Sequence, residues 1–89
     1  MSRYPPVSPR PELPEEFRFL CMLHNVGAIN AERSLKVEEI AKWTDKEVST
    51  IGEFLRKLAE LGYVQAVKSN GVKYHVSVAG IRKVLTLYS

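Results

Sequence analysis

Residues 44–62 read TDKEVSTIGEFLRKLAELG, and this stretch sets the reading of everything around it. Thr44-Asp45-Lys46-Glu47 has the Ser/Thr-x-x-Glu form of a capping box, in which a hydroxyl and a carboxylate satisfy each other's backbone donors at a helix start. Val48, Ile51, Leu55 and Leu58 then recur every three or four residues, with Phe54 and Leu61 alongside, so one side of a helix is apolar. Gly62 ends the pattern. The spacing predicts a helix over 46–61. Just upstream, Val37, Ile40 and Ala41, with Glu38 and Glu39 facing the positive dipole end, predict another over 37–44.

Two helices separated by so few residues must cross steeply, which is the helix-turn-helix layout. Downstream, residues 63–69 and 72–76 flank Asn70-Gly71, a pair suited to the two positive φ angles of a type I′ hairpin turn. With a two-residue turn, Ser69 faces Val72, Lys68 faces Lys73, Val67 faces Tyr74 and Ala66 faces His75. Val67, Tyr74 and Val76 then lie against the helices, and Lys68, Lys73 and His75 lie outside. Ser77 can cap a last helix carrying Val78, Ile81, Leu85 and Tyr88 at helical spacing. Upstream, Pro14 followed by Glu15 and Glu16 is a helix start, predicting a first helix over 14–26 that stops at Gly27. That helix is apolar around most of its circumference (Phe17, Phe19, Leu20, Cys21, Met22, Leu23, Val26), so it is either sandwiched inside the domain or meets a second subunit. In a chain of 89 residues the second is the expectation. Residues 1–13 hold four of the five prolines and read as an extended or disordered arm, leaving 14–89 as the one domain.

The order is helix, helix, helix, hairpin, helix. With LKVEEIA at residues 35–41, STI at 49–51 and FLRKLAELGYV at 54–64, it resembles the winged helix-turn-helix superfamily, with the look of MarR- and ArsR-type transcriptional regulators. The resemblance covers about residues 15–89. It implies an α+β, mainly α fold with a three-helix core, a two-stranded β wing and a short C-terminal helix. It also implies sequence-specific binding of double-stranded DNA, with the third helix in the major groove and the wing on the backbone or minor groove. Carried over position by position, the DNA-facing residues are Lys46, Ser49, Thr50, Glu53, Arg56 and Lys57 on the third helix, and Lys68, Ser69, Asn70 and Lys73 in the wing. The chain departs from the common pattern at Asp45, where a turn glycine is usual, at Lys46, where an apolar residue is, and at Lys36, in place of a capping threonine.

Charge adds its own argument. Net charge is +3, yet residues 62–89 carry Lys68, Lys73, Arg82 and Lys83 and no acidic side chain, which points to a polyanion on that part of the molecule. Two ammonium groups paired across a hairpin repel by up to ~1 kcal/mol unless an anion or water takes up their charge. On the third helix, hydroxyls at Ser49 and Thr50 suit phosphates or base edges, and Arg56 and Lys57 suit phosphates. Glu47 and Glu53 oppose this, although Glu53 can pair with Lys57 or accept from a cytosine amine. Affinity per monomer should be low, and a homodimer through helices 14–26 and 78–88 would double the phosphate contacts and read two half-sites.

Other functions find less support. One cysteine excludes a disulfide framework. Cys21 and His24 could share a helical face, but two ligands fall short of a zinc site, and a buried thiol with a nearby hydrogen-bonded imidazole is the expectation. Trp43 reads as a core or interface anchor. There is no phosphate-cradling glycine loop and no nucleophile–base pair, so neither an enzyme nor a cofactor is expected. No apolar run approaches the roughly 18 residues of a membrane span, and a reducing, cytoplasmic setting follows. The main rival is a winged-helix protein–protein interaction module of a replication, transcription or repair assembly, favoured by the acids on the third helix.

Overall fold

The computed structural model describes residues 13–68 and 70–88. The expected proline-rich arm lies outside them except for Leu13, as does Ser69. Helices α1 (Glu15–Asn25), α2 (Val37–Thr44) and α3 (Val48–Glu60) are followed by strands β1 (Val64–Lys68) and β2 (Val72–Val76) and by helix α4 (Val78–Leu87). One turn of 3-10 helix, Ala31–Arg33, interrupts the α1–α2 connection, capped by Asn30 Oδ1, which accepts from Arg33 N–H at 3.0 Å. The fold is the mainly helical winged helix-turn-helix.

Its core joins Leu20 and Leu23 of α1, Ile40 of α2, Ile51, Leu55 and Leu58 of α3, Val76 of β2 and Val84 of α4, all fully buried. Each such side chain contributes about 1.5–3 kcal/mol on leaving water. Most of the apolar circumference of α1 is taken up within the domain, with Val26 left exposed and Met22 half-buried. Phe19, Leu20, Cys21 and Leu23 are buried, and the helix packs on α3, β2 and α4. Phe19 meets the Phe54 ring at 5.2 Å between centroids, Phe17 meets Tyr63 at 6.3 Å, and Lys83 Nζ lies 5.2 Å from the centre of Phe17. The sandwiched reading of α1 therefore holds, and its apolarity by itself demands no second subunit.

The turn between α2 and α3 is built differently from the expected capping box. Thr44 remains the last residue of α2, its hydroxyl donating to the Ile40 carbonyl at 2.9 Å, and Glu47 caps α3 without a side-chain bond. The carboxylate that reaches back is Glu39, which accepts from the Lys36 backbone N–H at 2.8 Å at the start of α2. Asp45, in the usual glycine position, adopts the left-handed conformation (φ 59°, ψ 29°). A short Asx side chain tolerates that region better than most.

The hairpin is antiparallel, but its register differs by one residue from the expectation. Val64 pairs with Val76, Gln65 with His75, Ala66 with Tyr74, Val67 with Lys73, and Lys68 with Val72. Asn70 and Gly71 do take positive φ (55° and 100°), yet three residues rather than two lie between the paired strand ends. Burial decides this. Val64 and Val76 are both in the core, and the two-residue register would have set Gln65 opposite Val76. A slip of one residue exchanges the faces of a strand, so a buried face fixes register firmly. β2 is also held on its far side, through backbone bonds between Tyr74 and Leu35 (2.8 and 2.9 Å) and from Val76 N–H to the Ala28 carbonyl (2.7 Å).

Only half of the Val78/Ile81/Leu85/Tyr88 stripe of α4 turns inward, Ile81 and Tyr88 packing against the core. Gly80, Val84 and Leu87 are buried, while Val78 (68%) and Leu85 (62%) are exposed. Ser77 anchors the helix, its hydroxyl accepting from Gly80 N–H at 3.0 Å and donating to the Gly62 carbonyl at 2.6 Å. A Cβ at Gly80 would collide with the Tyr63 carbonyl oxygen and lie 2.6 Å from a Val76 methyl. Only glycine lets α4 approach the α3–β1 junction this closely.

Candidate nucleic-acid interface

Because Ile51, Phe54, Leu55 and Leu58 point into the core, the other side of α3 is presented to solvent. Ser49, Thr50, Glu53, Arg56 and Lys57 are all exposed there. The expected set is thus brought onto one helix face, with its charges partly paired. Arg56 donates to Glu53 Oε1 and to Glu60 Oε2, both at 2.9 Å. The Arg56 guanidinium holds the Glu53 carboxyl below the usual carboxylate range. The two carboxylates, Glu53 foremost, raise Arg56 in turn. The expected Glu53–Lys57 pair is replaced by this three-residue network, leaving Lys57 free of any ion pair among the described residues.

Lys46 does not join that face. Its ammonium bonds Glu15 Oε2 at 2.8 Å, tying the α2–α3 turn to the start of α1. Hydrogen bonding and charge from Lys46 keep the Glu15 carboxyl below its ordinary value.

In the wing, Lys68 and Lys73 do not face each other. Pairing places Lys68 with Val72 and Tyr74 on one face, and Lys73 with Val67 and His75 on the other. The cross-strand repulsion expected of them is therefore absent. Val67 shifts to the face opposite Tyr74 and Val76, and His75 is buried (8% exposed) with Nδ1 2.9 Å from the Val76 carbonyl oxygen. The lysines straddle the hairpin instead, Lys68 exposed and Lys73 half-buried, with no acidic partner among the described residues. Asn70 sits exposed at the tip, and Ser69 lies outside the described residues.

The other candidates resolve simply. Cys21 is buried, and that burial pushes its thiol up. The Tyr88 hydroxyl is buried beside Cys21 and Asn25, and His24 Nδ1 is buried with no hydrogen-bond partner among the described residues, against the expected hydrogen-bonded imidazole. Among the described residues no three His, Cys, Asp or Glu side chains gather as a metal ion requires. Trp43 is a correction: it is not core, standing 55% exposed at the end of α2. The signal was present, since Val37, Ile40, Ala41 and Thr44 form the inward stripe and position 43 falls off it. Trp43 borders an open cleft of about 330 Å³ between α1 and the α2–α3 turn.

With this geometry in place, two likenesses bear on it. Residues 31–66 match the model of the family described as bacterial regulatory protein, arsR family. That interval spans the 3-10 turn, α2, α3 and the first half of β1. Among solved structures, the chain is similar to the DNA-binding TubR fragment from Clostridium botulinum, with a TM-score of 0.68 and 22% identity over 80% of this chain and 90% of that one. A comparison with curated proteins gives no match.

Proposed function

We propose that this chain, a winged fold built around an ArsR-type helix-turn-helix, is a small transcriptional regulator that binds double-stranded DNA sequence-specifically. α3 enters the major groove, and the wing rests on the backbone or minor groove. The family model and the fold are those of DNA-binding regulators rather than of enzymes. The observation that carries the reading is the solvent face of α3, where Ser49, Thr50, Arg56 and Lys57 stand clear of the core. Ser49 and Thr50 in the first turn offer hydroxyls to base edges or phosphates. Lys57, Lys68 and Lys73 supply phosphate contacts, Asn70 reaches from the wing tip, and Ser69 is assigned the same role. Arg56 reads or neutralises only after leaving Glu53 or Glu60, and Lys46 contributes only if released from Glu15. No catalysis and no cofactor belong to this function.

Two further parts complete the proposal. The protein acts as a homodimer in which Val78 and Leu85, seven residues apart on the outer side of α4, meet their equivalents alongside α1. Large exposed apolar side chains in one stripe support this. As a reader of DNA it works in the cytoplasm; no helix among the described residues is long and apolar enough to cross a membrane.

The test is binding to duplex DNA by fluorescence anisotropy across a salt series. We expect log K to fall linearly with log salt, with a slope of about −0.9 per neutralised phosphate. Absence of binding at low salt would overturn the proposal in favour of the second reading, a protein–protein interaction module of a replication, transcription or repair assembly. That reading draws on one observation, the Glu53–Arg56–Glu60 network that leaves the α3 face nearly neutral. Light scattering checks the dimer, which a monomeric mass would remove.

A further inference from the structure

The cleft beside Trp43 shares with the proposed DNA interface only Lys46, which is held there in an ion pair with Glu15. Phe19, whose ring packs on Phe54, lines it together with Met22 and Trp43. The Lys46–Glu15 ion pair and Arg18 also line it. An indole left largely in water beside a thioether and a phenyl ring is an unpartnered aromatic surface.

The chain supplies an occupant of matching chemistry beside it. The described residues begin at Leu13, which is half-buried against the core, followed by Pro14 in an extended conformation (φ −54°, ψ 147°) and then by Glu15, which lines the cleft. Twelve residues precede Leu13, among them Pro5, Pro6, Pro9 and Pro11. Segments of this composition favour the polyproline II helix, whose conformational entropy is already low, and aromatic-lined grooves are their usual recognition surface. Length allows the fit. The cleft follows α1 from Glu15 to Met22, about 10 Å at 1.5 Å per residue. Twelve residues at ~3.1 Å each span roughly 37 Å, ample for a reversal at Leu13 and a return along the groove.

We propose that the Phe19–Met22–Trp43 cleft is a docking groove for the protein's own proline-rich N-terminal segment, residues 1–12, with proline rings against the Trp43 indole. The groove and the DNA-facing side of α3 are distinct, so the inference stands or falls separately from DNA binding.

Trp43 is the only tryptophan of the chain, so its fluorescence reports on this cleft alone. The experiment is acrylamide quenching of the full-length protein against the full-length variant carrying Pro5→Ser, Pro6→Ser, Pro9→Ser and Pro11→Ser. Circular dichroism serves as the check that both are folded. Docking predicts a quenching constant about twofold larger in the variant, as the indole face is uncovered. Equal constants would overturn the proposal. Protection that disappears on roughly hundredfold dilution of the unmodified protein would overturn it too, because an intramolecular contact does not depend on concentration whereas a neighbouring copy's does.

Discussion

Arg56 on α3 and the lysines of the wing are cations in one proposed interface, yet their surroundings are opposite. Arg56 lies between Glu53 and Glu60 at 2.9 Å from each, whereas Lys68 and Lys73 meet no carboxylate among the described residues. The difference teaches that basic residues counted along a sequence are not the same as positive charge available to a ligand. A guanidinium already bound to two carboxylates must exchange those bonds for a phosphate, and the gain is small. A wing lysine exchanges only water and counterions, and the released counterions drive binding. The wing should therefore carry the non-specific affinity, and α3 the reading of bases.

This contrast presupposes that the wing is anchored to the helices, and the largest expected effect tests that anchoring. Gly80→Ala drives a methyl into the Tyr63 carbonyl and Val76. We expect a loss of about 3 kcal/mol in urea unfolding, the upper range for overpacking. An unchanged midpoint would show that α4 shifts freely. Next comes the wing itself. Lys68→Glu with Lys73→Glu should weaken duplex binding by on the order of tenfold or more at low salt and flatten the salt dependence by about two counterions' worth of slope. If anisotropy shows the slope unchanged, the wing makes no phosphate contact.

A smaller effect sharpens the α3 side. Glu53→Gln removes one of the two carboxylates holding Arg56 and should tighten binding to random duplex roughly threefold. A loss restricted to one DNA sequence would instead assign Glu53 to a cytosine amine. The smallest concerns Glu15. Its carboxyl titrates below the ordinary value because of Lys46. The pair therefore stabilises the fold above the unfolded-state pKa, around pH 4, and that contribution is lost as pH falls through the lower folded-state value. Both groups are solvent-exposed, so Glu15→Gln should lower the melting temperature only slightly at neutral pH and not at all in acid. A large neutral-pH shift would mean that the pair clamps the α2–α3 turn.

The likeness between expectation and structure is uneven in an instructive way. Helix α2 was legible to the residue, and α1 and α3 to within two, because period and punctuation (Pro14, Gly27, Gly62) act locally. The positive φ at Asn70 and Gly71 followed from residue types alone, whereas the capping box expected at Thr44–Glu47 gave way to a left-handed Asp45. The outward face of α3 followed from its stripe, because Ile51, Phe54, Leu55 and Leu58 admit only one inward side. Which charges on that face are free did not follow, since Arg56 had alternatives at three and four residues' distance and Lys46 found its partner 31 residues away.

The sequence by itself determined, to within two residues, where the helices begin and end, and that the C-terminal third carries no acid. Tertiary structure alone decided which way α4 faces and how the hairpin is registered. Two stripes on α4 satisfy the same helical period, and the choice between them rests on Gly80, a residue that periodicity ignores and that lets the helix seat against Tyr63. Likewise the Asn70-Gly71 turn permits more than one pairing, and the helices choose the one that buries Val64 opposite Val76. A repeat along a chain records how often a side chain comes round, whereas the partner it comes round to is set by contacts between elements distant in sequence.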